Sequence, residues 1–348
     1  MESSQVTTER LSKDEIDLYD RQIRLWGMAA QARMRSAKVL LIGLGSLGTE
    51  ICKNVVLCGL GHLTILDDSV VQEEDLGSQF FISSEDVGSL KLDSAKARIQ
   101  DLNPRVHLSF DTQSIESKAE DFYKGFDLVI GTELSTSQMV KLNELTRKYN
   151  IPVYLAGSNG LFAYIFVDLI QFDAEDEKLK GSQPTEKGKI SKNTEVIEVR
   201  TRHDEDDDKK VFEVIKTRHY YKSFQQMIKT ASLEGRLNRR QIKRLSSAVP
   251  LTFTLLQTEH EIGHLNFQTL KEKAIETCRQ LGVPGTVLND TYVEQFTQQE
   301  GVQFAPVSAV IGGSIAQDVI NILGKRQPPL NNFIVFDGIT LDMPIFEF

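Results

Sequence analysis

Lys38-Val39-Leu40-Leu41-Ile42-Gly43-Leu44-Gly45-Ser46-Leu47-Gly48 decides the fold of this chain. Residues 38–42 are a short, nearly continuous apolar run, the pattern of a strand buried on both faces of a parallel sheet. Gly43-x-Gly45-x-x-Gly48 then allows a tight turn, and Leu47, Ile51 and Val55 share one face of a helix that Gly59 is placed to end. In this strand–turn–helix setting the free N–H groups of the helix start point at an anion. The next strand, 62–66, closes at Asp67, where an acid can bond a ribose hydroxyl. The alternative is that the glycines only permit close helix–strand packing. The context favours ancestry in a nucleotide-binding fold and leaves open whether this copy still holds nucleotide.

The alternation continues outward. Residues 94–102 are helical and stop before Asn103-Pro104, because the residue before proline avoids helical geometry. Strands follow at 106–110 and 126–130, a helix at 135–149 and a strand at 153–156. This predicts a doubly wound, mostly parallel, Rossmann-like α/β sheet. Residues 162–172 alternate in part and predict longer strands that extend or flank it. Residues 173–210 are charge-rich, with acids at every position of 204–208, and predict a mobile acidic loop with room for a short strand at 196–199. Residues 221–300 favour helix, including 224–228 and 265–281. Pro306 opens a helix to Leu323 with Gly324 as its cap; 333–336 is a strand, and Asp337-Gly338 signals a hairpin into 339–341. The expected organisation is one α/β domain from 1–172 plus 303–348, with 173–302 inserted as an acidic loop and a helical lobe.

Ser12 before Lys13-Asp14-Glu15 is an N-cap signal, and Ile16, Tyr19, Ile23 and Trp26 make one apolar stripe of a helix. Taken alone, Arg21 on that helix pairs with Asp20 or Glu15. A net charge of −9 argues against a broad nucleic-acid surface. Three cysteines without a Cys-x-x-Cys pair, no secretory signal and no uncharged apolar run of membrane-spanning length predict a soluble intracellular protein without disulfides or a metal site. Cys52 and Cys58 stand amid apolar neighbours and Cys278 on a helix, so none is set up as a nucleophile. Arg236, Arg239, Arg240, Lys243 and Arg244 form a basic cluster, read as a solvated face ahead of nuclear import or contact with an acidic modifier.

Tyr19-Asp20-Arg21-Gln22-Ile23-Arg24-Leu25-Trp26-Gly27, the glycine turn, Asp67, Gly77-Ser78-Gln79-Phe80 and Val87-Gly88-Ser89-Leu90-Lys91 stand in the order seen in the ThiF/MoeB-like adenylating enzymes for ubiquitin-like modifiers. The chain resembles that family. Ala305-Pro306-Val307-Ser308-Ala309-Val310-Ile311-Gly312-Gly313, Ala316-Gln317-Asp318-Val319 and Pro329-Leu330-Asn331-Asn332-Phe333 resemble one branch, the small non-catalytic (regulatory) subunits of SUMO-activating enzymes. The resemblance implies a heterodimer whose larger catalytic subunit binds ATP and magnesium, adenylates SUMO and carries the thioester cysteine. It implies that Arg21 crosses to the partner's ATP, with Arg24 as alternative or helper, and that the complex works in the nucleus, with the cytoplasm as a second location. The cofactor-binding positions here are Gly43, Gly45, Gly48, Asp67 and Lys91. They are expected to be vestigial, because Ser69, Asp75 and Ser78 replace an acid, an asparagine and an arginine of active members. Register puts Leu134 where the acid near magnesium belongs, with Glu133 as a displaced substitute. No firmly bound cofactor, no nucleic acid and no membrane are expected of this chain. An autonomous homodimeric adenylyltransferase, an NAD-dependent oxidoreductase and a purely structural scaffold are the competing readings.

Overall fold

The computed structural model describes residues 11–181, 183–204, 210–258, 266–325 and 328–348. Helix α1 (Lys13–Leu18) has the expected cap: the Glu15 N–H donates to the Ser12 hydroxyl at 3.3 Å, and the Ser12 N–H donates to the Glu15 carboxylate at 2.9 Å. The expected single N-terminal helix is two, because Tyr19 (φ −98°, ψ 17°) leaves helical geometry as its ring packs inward over Gly59. Helices α2 (Asp20–Trp26) and α3 (Met28–Ser36) follow.

Strand β1 (Lys38–Ile42), helix α4 (Ser46–Leu57) and strand β2 (His62–Leu66) stand where the apolar run and the glycine turn put them. The alternation continues through α5 (Lys91–Leu102), β3 (His107–Asp111), β4 (Leu128–Thr132), α6 (Thr136–Lys148) and β5 (Val153–Asn159). These strands pair in parallel in the order β5-β4-β1-β2-β3. The chain runs to β2 on one side of β1 and later to β4 on the other, which makes the carboxyl end of β1 the switch point where such sheets bind ligands. Alternation along β1 divides the core: Val39 and Leu41 join the layer that holds Ile51 and Ile315, while Leu40 and Ile42 join the layer that holds Met139 and Phe253.

After β5 the chain reverses into antiparallel β6 (Phe162–Asp168). It leaves this sheet at Ile170 (φ +64°). Strands β7 (Gln171–Leu179), β8 (Gly188–Lys189), β9 (Thr194–His203) and β10 (Val211–Tyr220) then form a second antiparallel sheet, ordered β7-β10-β9-β8. This corrects the expectation of a mobile acidic loop over 173–210. The charges pair rather than repel. Arg218 holds Asp173 through bonds of 2.7 and 2.9 Å, and Arg200 and Arg202 of β9 reach across β10 to Glu175 and Glu177, each at 2.8 Å. Opposite charges facing across strands let a stretch of low hydrophobicity hold a sheet. Of the run of acids at 204–208, Asp204 ends this hairpin arm with its N–H on the Lys210 carbonyl at 3.0 Å, and 205–208 lie outside the described residues.

His219 of β10 is buried, with the Thr194 hydroxyl 3.3 Å from Nδ1 and the Thr217 hydroxyl 3.1 Å from Nε2. Desolvation lowers its pKa, against an opposing effect of Glu347 and Asp173. In mildly acid solution the folded chain therefore binds fewer protons here than the unfolded chain. Its stabilising contribution is complete above the ordinary histidine range and is lost as pH falls through it. The urea midpoint is expected to drop between about pH 7.5 and about pH 5, and His219→Gln to flatten that slope. An identical slope in the variant would remove His219 as its source.

Helices α7 (Phe224–Thr230), α8 (Arg239–Arg244), α9 (Ala248–Thr258), α10 (Phe267–Leu281) and α11 (Asp290–Gln298) occupy the stretch read as helical. Leu265, the expected start of the helix seen as α10, lies outside the described residues. The lobe is tied to the first sheet by a buried charge. Asp168 accepts from Arg147 at 2.6 Å, from the Asn143 side-chain amide at 2.8 Å and from the Ile170 N–H at 2.8 Å, while the Asn143 Oδ1 takes the Phe224 N–H at 2.7 Å.

Helix α12 (Ala305–Leu323) returns to pack along α4, β11 (Phe333–Asp337) adds antiparallel to β6, and β12 (Ile345–Phe346) adds antiparallel to β11. Among the described residues α12 is the one helix long and apolar enough to cross a membrane; here Ile311, Ile315 and Val319 are buried in the core. The expected strand at 339–341 does not form. The Asp337 carboxylate takes the Ile339 and Thr340 N–H groups at 2.9 and 3.3 Å, closing a turn, and β11 pairs with β12 instead.

Candidate functional site

The carboxyl ends of β1, β2 and β4 enclose a cavity of about 350 Å³, lined by Gly43, Gly45, Asp67, Lys91, Thr132 and Gln303 among others. Gly43 (φ +89°) turns so tightly that a Cβ there would lie 2.6 Å from the Thr132 carbonyl oxygen, a position only glycine tolerates. Gly45 caps α4, and Gly48 lies in its first turn. The expected phosphate cradle is thus built, but its donors are engaged from within. Asp67 accepts the Leu44 N–H at 2.5 Å, together with the Ser69 N–H at 2.8 Å and hydroxyl at 2.5 Å. Gln303, just before α12, lays its amide over Gly45, and its oxygen accepts the Ser46 N–H at 2.6 Å.

Lys91 is buried and donates to Asp75 at 3.0 Å. Asp75 also accepts from Gln79 at 3.2 Å and from the Gln72 N–H at 2.9 Å. Leu134 lines the cavity, and Glu133 (φ +54°) gives its two oxygens to the Ser158 hydroxyl at 2.7 Å and N–H at 3.2 Å. Desolvation on its cleft side pushes the Glu133 carboxyl up, with Ser158 pulling the other way, although the residue keeps an exposed flank. The groups that would meet a nucleoside triphosphate are already engaged within the chain. Two turn N–H groups are occupied, the lysine is neutralised, and Asp67, Asp68, Glu116 and Glu133 line the same space. Sequence reading missed Gln303. No local pattern marks it, and 257 positions separate it from Ser46.

Arg21 lies on the exposed side of α2. The two carboxylates expected to pair with it are taken, Asp20 by Arg24 at 2.9 Å and Glu15 by Arg35 at 2.7 Å. The Ser12 N–H and then Arg35 hold the Glu15 carboxyl below its ordinary value. Among the described residues no hydrogen bond or ion pair engages the Arg21 side chain. Leu18 and Leu25, three residues before and four after it, are 58% and 72% exposed, and Met28 is exposed nearby. A free guanidinium set among exposed apolar side chains has the composition of a protein-binding surface.

All three cysteines are buried. Burial pushes the Cys52 thiol up, Cys58 up to about 12 and Cys278 up to about 11, so none supplies a thiolate near neutral pH.

The ThiF family profile matches residues 19–348. The chain is similar to DNA damage tolerance protein RHC31 of Saccharomyces cerevisiae, at 59% identity over 342 residues, covering 98% of this chain and 99% of that one. It is similar to SUMO-activating enzyme subunit 1 of Homo sapiens, at 34% identity over 338 residues and 94% of each chain. DNA damage tolerance protein rad31 of Schizosaccharomyces pombe is 33% identical, covering 97% of this chain and 98% of that one. Among solved structures, a crystal structure of selenomethionine PaaA superposes with a TM-score of 0.56 at 15% identity, covering 100% of this chain and 77% of that one, a likeness of fold alone. With matches of this extent over sheet, cleft and lobe together, the chain belongs to the ThiF family, in the branch of SUMO-activating enzyme subunit 1.

Proposed function

We propose that this chain is the regulatory subunit of a heterodimeric SUMO-activating enzyme. Its partner is a larger catalytic subunit that holds ATP and magnesium, adenylates the C-terminal carboxylate of SUMO and carries the thioester cysteine. This chain contributes Arg21 in trans to the partner's nucleotide. The carrying observation is the contrast between its two candidate sites. In the chain's own cleft Gln303, Asp67 and Asp75 engage the groups that would meet a phosphate, while Arg21, between exposed leucines, has no hydrogen bond or ion pair among the described residues. A guanidinium brought up to a reacting phosphate stabilises the charge that develops there. Arg24 is the weaker candidate, because Asp20 already neutralises it. The buried thiols support placing thioester chemistry on the other chain. The complex works in the nucleus, with a cytoplasmic fraction, which microscopy of a tagged chain checks.

Reconstitution tests the proposal. The purified full chain with ATP, magnesium and SUMO is expected to form no SUMO adenylate and to give no saturable ATP binding, and the catalytic subunit is expected to restore adenylation. Robust adenylate from this chain alone would favour the homodimeric adenylyltransferase instead.

A further inference from the structure

Helix α4 links the two places described above: its first turn faces the cleft, and its last carbonyls face the segment that carries Arg21. A helix leaves its final carbonyls without donors of its own. Here three successive ones are taken by side-chain amides. Asn103 donates to the Val56 carbonyl at 3.0 Å, Gln22 to Leu57 at 3.3 Å and Gln31 to Cys58 at 3.0 Å. Gln22 is the neighbour of Arg21. Gln31, fully buried on α3, also accepts the Trp26 indole N–H at 2.8 Å. On the other side of Arg21, the buried Tyr19 ring fills the space over Gly59 (φ +82°), where a Cβ would lie 2.6 Å from the ring. The Tyr19 hydroxyl accepts from Asn103 at 2.9 Å.

We propose that this set of contacts is a clamp that positions Arg21, with Tyr19, Gln22, Trp26, Gln31 and Asn103 as positioning residues for adenylation. The inference rests on the reading of Arg21 as a group supplied in trans. Helix α2 has seven residues and none of them is buried. A helix that short is not stable by itself, and core packing does not hold this one. The amide contacts to α4 and the anchored Tyr19 fix its position and rotation. A preorganised donor is effective because it does not reorganise as charge develops, and a displacement of about 1 Å can cost up to about 100-fold in rate.

The test is ATP–pyrophosphate exchange by the assembled heterodimer, with Tyr19→Phe and Gln31→Leu each placed in the wild-type and Arg21→Ala backgrounds. Tyr19→Phe keeps the ring over Gly59 and removes only the hydroxyl contact, so it remains informative if Gln31→Leu fails to fold. Each substitution is expected to lower kcat by about 5- to 50-fold in the wild-type background, with KM for ATP changed by less than about 2-fold. In the Arg21→Ala background each is expected to change kcat by less than about 2-fold. Unchanged kcat in the wild-type background, or equal fold losses in both backgrounds, would overturn the clamp. Near-normal exchange by Arg21→Ala itself would overturn the underlying reading of Arg21. A large loss from Arg21→Ala combined with additive clamp substitutions sinks the clamp alone.

Discussion

Arg21→Ala is expected to lower SUMO adenylation by the assembled heterodimer by about 10- to 1000-fold, the range for losing one preorganised charged donor. The heterodimer itself is expected to stay intact. The Arg21 side chain makes no intrachain hydrogen bond or ion pair among the described residues, so its removal orphans none of their polar groups. Leu18, Leu25 and Met28 remain to be covered. Arg21→Lys should fall between the two, since it keeps the charge but loses the planar fork that meets two phosphate oxygens at once. The loss should appear in kcat for pyrophosphate exchange, while co-purification with the catalytic subunit is unchanged. Exchange within about 2-fold of wild type would end the assignment of Arg21.

Asp168→Ala is expected to destabilise the fold by about 2–4 kcal/mol, because a buried carboxylate bridging three donors is removed, while Arg147, 30% exposed, can still meet water. Arg147, Asn143 and the Ile170 N–H all lose their acceptor. The damage reaches beyond the pair. Asn143 also holds the Phe224 N–H at the entry to the lobe, so losing its anchor loosens α6, the β6–β7 corner and α7 together. Urea denaturation of the full chain measures this, and a change below about 1 kcal/mol would show that the network contributes little.

What could be read in the chain beforehand follows the range of the interactions. The β1–turn–α4 unit, the Ser12 cap and the Pro306 helix start depend on residues a few positions apart, and periodicity or cap chemistry reveals them. The second sheet was hidden because acids and arginines read as solvated until Arg200 and Arg202 are seen reaching over β10. The split at Tyr19 was hidden because its cause, the space over Gly59 and the Asn103 amide, lies far along the chain. Asp75 and Ser78 are the local signs from which a vestigial cleft is expected. They did not announce that Asp75 would bind Lys91 or that Gln303 would occupy the helix start.

The origin of Gln303 has a consequence for biosynthesis. A ribosome releases the glycine turn and α4 long before it has made residue 303, so the growing chain carries an uncapped helix start that only water or a dissolved anion can meet. The cap arrives with the same late segment that supplies α12 and β11, so the start of α4 gains its partner for the Ser46 N–H only after most of the chain has been made.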